Sequence, residues 1–175
     1  MTEAQLSNAM DAYGSTVYRL ALTRMQNIAD AEDVYQEVFL RLWKQAAEDW
    51  DGDRAKAWLI RTTLNRCADL HRFHLRRPVL SFAEIPDLAQ PEDESRELWE
   101  AVSRLPEKAR TAVHLYYAEG YSAEEISQLM HIPAATVRTR LHRARKQLKD
   151  LLGGIDDETC VSRSDGTNFG PQRAE

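Results

Sequence analysis

Apolar residues recur at helical spacing along most of this chain, in stretches separated by turn residues, which predicts an all-α protein. Leu6, Met10, Tyr13, Val17, Leu20 and Leu22 place a first helix from about Gln5 to Met25. Asn27-Ile28-Ala29 breaks it. Asp30 is then expected to cap a second helix, with Glu32 and Asp33 in a first turn where the helix dipole favours negative charge. In that helix, DAEDVYQEVFLRLWKQAA, an apolar stripe combines Val34, Val38 and Leu42 with Tyr35, Phe39 and Trp43 one residue on. The stripe is broad enough to leave aromatic surface for a partner. Asp33, Gln36, Glu37, Leu40, Arg41 and Lys44 lie on the other side, which read alone is an ordinary solvated face.

The turn-rich Asp49-Trp50-Asp51-Gly52-Asp53 leads into a third helix, about Arg54 to His74, with Ala57, Ile60, Leu64, Ala68 and Leu70 or His71 inward. Arg61, Asn65, Asp69, Arg72 and Arg76 share a second face. Long donors with a single carboxylate suit phosphates and base edges. Trp58 either packs inward or supports a displaced base by stacking. Cys67, His71 and His74 share one side of the helix but match no zinc spacing, and they are read as structural, with no metal expected.

From Pro78 the pattern stops. Pro86 and Pro91, with Glu84, Asp87, Glu92, Asp93 and Glu94, mark an acidic linker. Helical spacing resumes from Ser95 to Leu105 through Leu98, Val102 and Leu105. Pro106 starts another helix, carrying Ala109, Val113 and Leu115 or Tyr116 and ending at Gly120. Ser122 and Glu125 stand in capping-box relation, with Ile126 and Leu129 apolar behind them. His131, Ile132 and Pro133 interrupt. A last helix runs from about Ala134 to the Gly153-Gly154 stop, apolar at Val137, Leu141, Leu148 and Leu152. Arg138, Arg140, Arg143, Arg145, Lys146 and Lys149 fill its other faces. A capped short helix, a tight turn and a basic longer helix form the layout of a helix-turn-helix that lays its second helix in a DNA major groove. The expected organisation is an N-terminal helical domain at 1–77, a linker at 78–94, a helix-turn-helix domain at 95–153 and a disordered tail at 154–175.

Composition sharpens this reading in one respect. The formal net charge is −5, unpromising for a nucleic-acid binder. Charge is distributed unevenly, however: 1–50 and 81–100 are acidic, whereas 51–80 and 121–152 are basic. Screening confines charge interactions to about 10 Å at ordinary salt, so local basic stretches act on phosphates regardless of the total. No apolar run reaches membrane-span length, and the N-terminus lacks the pattern of a secretion signal. The cysteines, Cys67 and Cys160, are far apart, and a reduced cytoplasmic setting is expected. No nucleophile–base arrangement and no Gly-rich phosphate loop is present, so neither catalysis nor a cofactor is expected.

Three stretches together resemble the extracytoplasmic-function (ECF) group of bacterial RNA polymerase sigma factors: AEDVYQEVFLRLW at 31–43, AWLIRTTLNRCADLHR at 57–72 and LPEKARTAVHLYYAEGYSAEEISQLMHIPAATVRTRLHRARKQL at 105–148. The resemblance covers about Ala12 to Leu152. It implies that Asp33, Gln36, Glu37, Arg41 and Trp43 dock on the clamp helices of core RNA polymerase. It implies that Arg61, Asn65, Arg72 and Arg76, with the loop at about Trp50 to Arg54, capture the −10 element as single strands. Thr136, Arg138, Thr139, Arg140 and Arg143 would read the −35 duplex, with Arg145, Lys146 and Lys149 nearer the backbone. An anti-sigma factor is the further partner it implies. Ala135 stands where many members have Gly, Thr139 where Ser is usual, and HRFHLRR is less basic than the usual run. The competing reading is a dimeric helix-turn-helix regulator acting without polymerase, which leaves the 31–43 face without a role.

Overall fold

The computed structural model describes residues 2–45, 52–76 and 93–152, without the side chains of Arg76 and of 93–96. The turn at Asp49–Asp51, the linker except its last two residues, and the tail after Leu152 lie outside them. The described residues form seven α-helices and no strand. These are α1 (Glu3–Met25), α2 (Ile28–Lys44), α3 (Gly52–Arg76), α4 (Asp93–Ser103), α5 (Glu107–Val113), α6 (Ala123–Met130) and α7 (Ala134–Leu151), with a π-helical turn over His114–Ala118.

Short polar residues set the helix ends. Thr2 and Gln5 exchange capping-box hydrogen bonds of 2.8 and 3.2 Å at the start of α1. Gln26 ends α1 in the left-handed region at φ 53°. Asn27, not Asp30, then caps α2: its side-chain oxygen accepts the Asp30 N–H at 2.9 Å. Asp30 is therefore the acidic residue of the first turn, and Glu32 and Asp33 lie beyond it. The break is shorter than Asn27-Ile28-Ala29 implied because one left-handed residue and one extended residue suffice to restart a helix.

The first three helices enclose Val17, Ala21, Val34, Val38, Leu42, Leu59 and Cys67, all close to fully buried. Helix α1 approaches α2 at Gly14, where an added Cβ would lie 3.0 Å from the Tyr35 hydroxyl oxygen. In α3 the buried line is Ala55, Leu59, Ile60, Leu64, Cys67 and Leu70, while the expected Ala57, Ala68 and His71 are only half-buried. Burial pushes the Cys67 thiol up to about 12, which removes its thiolate chemistry at neutral pH. His71 and His74 face different carboxylates, Glu107 at 3.8 Å and Asp30 at 3.7 Å.

Leu98 was expected inside but is 48 % exposed; Ala101 and Leu105 carry the buried side instead. The helix from Pro106 does not continue as α-helix to Gly120. At its end the Glu119 N–H reaches back five residues to the His114 carbonyl (3.2 Å), and the Tyr121 N–H bonds the Leu115 carbonyl (3.0 Å). This wider turn buries both His114 and Leu115 and leaves Tyr117 exposed. Leu105, Ala112, Leu115, Ile126, Val137, Leu141 and Ala144 form a second core, which also takes in Leu20, Ile60 and Leu64 from the first three helices. The two helical halves thus pack on each other through shared apolar side chains.

The hairpin begins as its capping pattern implies. Ser122 and Glu125 exchange bonds of 3.3 and 2.8 Å, and His131 closes α6 in the left-handed region at φ 52°. Ser122→Ala removes the acceptor for one orphan helix N–H, and is expected to lower the unfolding free energy by about 1 kcal/mol in a denaturant titration. An unchanged midpoint would mean that the cap is redundant.

Candidate polymerase and nucleic-acid interface

Three exposed faces carry the residues singled out in the sequence. On α2 the inward line is Ala31, Val34, Val38 and Leu42, with Phe39 beside it. Each residue rotates a helix by about 100°, so Trp43 turns out of the packing line that Leu42 occupies. Trp43 is 42 % exposed and Leu40 57 %, so two large apolar groups stand in water beside Asp33, Gln36 and Arg41. Trp43 therefore belongs to the surface and not to the core stripe. Glu37 is held in place: Arg41 donates to its Oε1 at 2.9 and 3.2 Å, and Arg66 on α3 lies 3.6 Å from Oε2. A fixed carboxylate flanked by exposed apolar groups has the character of a protein-docking face, with an apolar centre and a polar rim.

On α3, Arg61, Asn65, Asp69 and Arg72 are all exposed along one side. Arg72 folds back, bonding Asp69 Oδ1 at 2.7 Å and the Ala68 carbonyl at 3.2 Å. Part of its charge is thereby offset, and Arg61 is the less encumbered of the two arginines. Arg76 lies at the end of α3, and its side chain falls outside the described residues, as does Trp50. Trp58 is half-buried against the first core, so the inward alternative is the one realised.

On α7, Val137, Leu141 and Ala144 face the core, which turns Arg138, Thr139 and Arg143 outward and leaves Thr136 and Arg140 half-exposed. The Thr139 hydroxyl donates to the Ala135 carbonyl at 2.9 Å. Its methyl and oxygen lone pairs remain for a base edge, where a threonine methyl suits the thymine methyl. Arg138 forms an ion pair with Glu124 of α6, and the Arg145 Nε–H donates to the Tyr117 hydroxyl at 2.8 Å. Glu124 and Tyr117 were not anticipated. The interhelical turn separates Glu124 from Arg138, and all of α6 together with that turn separates Tyr117 from Arg145, so no local spacing announces such pairs.

Along the chain these faces follow a known order. The Sigma-70 region 2 model matches residues 9–77 and the Sigma-70 region 4 model matches residues 95–148. The chain belongs to the ECF RNA polymerase sigma factors. It is 30% identical over 170 residues to the ECF RNA polymerase sigma factor SigW of Bacillus subtilis, covering 83% of this chain and 89% of that one. It is 34% identical over 161 residues to ECF RNA polymerase sigma factor SigE of Mycolicibacterium smegmatis, covering 86% of this chain but only 62% of that protein's length. The fold matches that of the sigma factor RpoE, in a co-crystal structure with the anti-sigma factor NepR from Bartonella quintana. The TM-score there is 0.73 at 23% identity, over 87% of this chain and 99% of that one.

Proposed function

We infer that this chain is a promoter-specificity subunit: it binds core RNA polymerase and directs initiation by reading a −35 duplex and a −10 single strand, with no catalysis of its own. Region 2 and region 4 matches, in this order and each centred on an exposed face of fitting chemistry, support the reading most. The docking face is α2, with Asp33, Gln36, Glu37, Arg41 and Trp43. The −10 reader is α3, with Arg61, Asn65, Arg72 and Arg76. The −35 reader is α7, with Thr136, Arg138, Thr139, Arg140 and Arg143. The domains are assigned to 1–77 and 95–153, joined at 78–94, with a tail at 154–175. No described helix is long and apolar enough to cross a membrane, and the proposed setting is the cytoplasm, beside the polymerase. An anti-sigma factor is the proposed regulatory partner, as in the RpoE complex.

Physically, each reader is weak alone. Holding both on one polymerase makes the second binding event intramolecular and raises its effective concentration. The test is run-off transcription with core polymerase, this chain and promoters selected from a random library. Initiation at a shared −35/−10 sequence is expected. Tight operator binding without polymerase, with no initiation, would instead establish the dimeric regulator.

Docking has its own measurement. Glu37→Ala is expected to weaken core polymerase binding about tenfold. Its ion pairs are solvent-accessible and worth under about 1 kcal/mol to folding, so the melting temperature should hardly move. Equal affinity with lost transcription would refute the docking assignment.

A further inference from the structure

Two arginines of the C-terminal half are fixed in contrasting ways. Arg110 of α5 is 5% exposed and serves the fold. Its guanidinium donates to the Thr23 and Arg24 carbonyls at the end of α1, the latter at 3.2 Å, and to the Leu105 carbonyl at 2.8 Å. Arg138 of α7 is fixed in the open. Its ion pair with Glu124 ties α7 to the first turn of α6, and both side chains remain 60% exposed.

Glu124 shares that turn with Glu125, but the two carboxylates have different partners. Glu125 Oε2 accepts the Ser122 N–H and the Ser122 hydroxyl, each at 2.8 Å, and so belongs to the helix cap. Glu124 takes no part in the cap. Ala123 and Ile126 carry α6 into the core and leave Glu124 on the outer side, against Arg138. Arg140 and Arg143, the other arginines of the reading face, have no carboxylate partner among the described residues. Of the three, Arg138 alone is held by another helix.

An exposed pair of this kind adds little to folding. Beside DNA it has a larger effect. An unrestrained arginine is drawn to phosphates, which line the whole duplex, take about half to two-thirds of protein–DNA hydrogen bonds and carry no sequence information. To bond guanine O6 and N7 together, the planar guanidinium must be presented in one attitude. A carboxylate on the neighbouring helix supplies that restraint before DNA arrives, which lowers the ordering cost of the contact. Its negative charge also repels a phosphate from the same place.

We propose that Glu124 is a specificity-determining residue of the −35 reader: it positions Arg138 for a guanine edge and keeps it from the phosphates. This role rests on α7 being the −35 reader. Glu124 itself acts through Arg138 and not by touching a base.

Glu124→Gln removes the charge and leaves the Ser122–Glu125 cap in place. Holoenzyme reconstituted with the full-length variant is compared with the unmodified one on promoters carrying each base in turn at every −35 position. The variant is expected to lose about fivefold in discrimination at one guanine-containing base pair. Its binding to duplex of unrelated sequence should tighten, and the slope of log K against log salt should steepen by about 0.9, the equivalent of one phosphate contact. In an Arg138→Ala background the change at 124 should alter neither value. Unaltered discrimination in Glu124→Gln overturns the role, as does an equal change with Arg138 absent. Should Glu124→Gln not fold, Glu124→Ser is read by the same outcomes, since residue 124 lies outside the cap. Indifference of the unmodified holoenzyme to every −35 position would instead refute the −35 reading, so the two failures are distinguishable.

Discussion

A chain carrying Arg140→Ala and Arg143→Ala will lose about a hundredfold in run-off transcription from a promoter that depends on its −35 element, while retaining its affinity for core polymerase. The two positions lie three apart on α7, one turn beyond its buried start, and Val137, Leu141 and Ala144 carry the helix into the core without them. Each arginine placed against a guanine edge or a phosphate contributes about 1–3 kcal/mol to a protein–DNA contact. Taking about 1.4 kcal/mol for each, a factor of ten apiece, yields the hundredfold loss. The control is a promoter with its −35 element scrambled, where wild type and variant should converge. An equal loss on both templates would mean that α7 acts elsewhere than the −35 duplex. Arg138→Ala should do less, because part of that guanidinium is already engaged by Glu124.

Stability will fall in mild acid through one buried histidine. The His114 pKa is pushed down to about 4, chiefly by burial; Glu119 opposes the shift and Arg19 adds to it. Nδ1 lies 3.2 Å from the Thr23 hydroxyl, whereas the buried Nε2, 3.8 Å from Glu119 Oε1, makes no hydrogen bond among the described residues. In the unfolded chain the same ring titrates near 6.5, so between the two values the unfolded state holds more protons and stability rises with pH. The contribution is full above about pH 7 and is lost as pH falls through 6.5 toward 4. Between pH 7.5 and 5 the loss comes to about 2 kcal/mol. His114→Asn keeps a polar atom near Thr23 and removes the titration. Its denaturation midpoints should therefore decline less than those of the wild type over this interval. Parallel declines would show that the acid sensitivity belongs to other groups.

Helix ends were largely legible because their chemistry is local. The Ser122–Glu125 box and the Pro133 break lie where their residue types put them. Asn27 was missed in favour of Asp30 because both are good caps three residues apart, and only the left-handed Gln26 decides between them. The π-helical turn leaves no periodic signature, since one extra residue in a five-residue span shifts the register without changing composition. Arg110 was the largest omission. A long cation among apolar helical positions reads as solvent-facing, and its partners at Thr23 and Arg24 are more than eighty residues away. The exposed faces of α2, α3 and α7 could be traced from spacing, but their division among polymerase, −10 and −35 roles came from family resemblance. Polarity alone does not distinguish a phosphate from a carboxylate partner.

The shared core has a consequence for synthesis. Leu20, Ile60 and Leu64 are made well before Leu115 and Ile126, the residues that cover them. At about 5–20 residues per second, roughly 3–12 s pass between translation of Leu64 and of Ile126. During that interval the first half emerges from the ribosome with its inner apolar surface bare and its α2 face already assembled. A newborn chain is thus briefly open for chaperone or polymerase before its own second half arrives to close it.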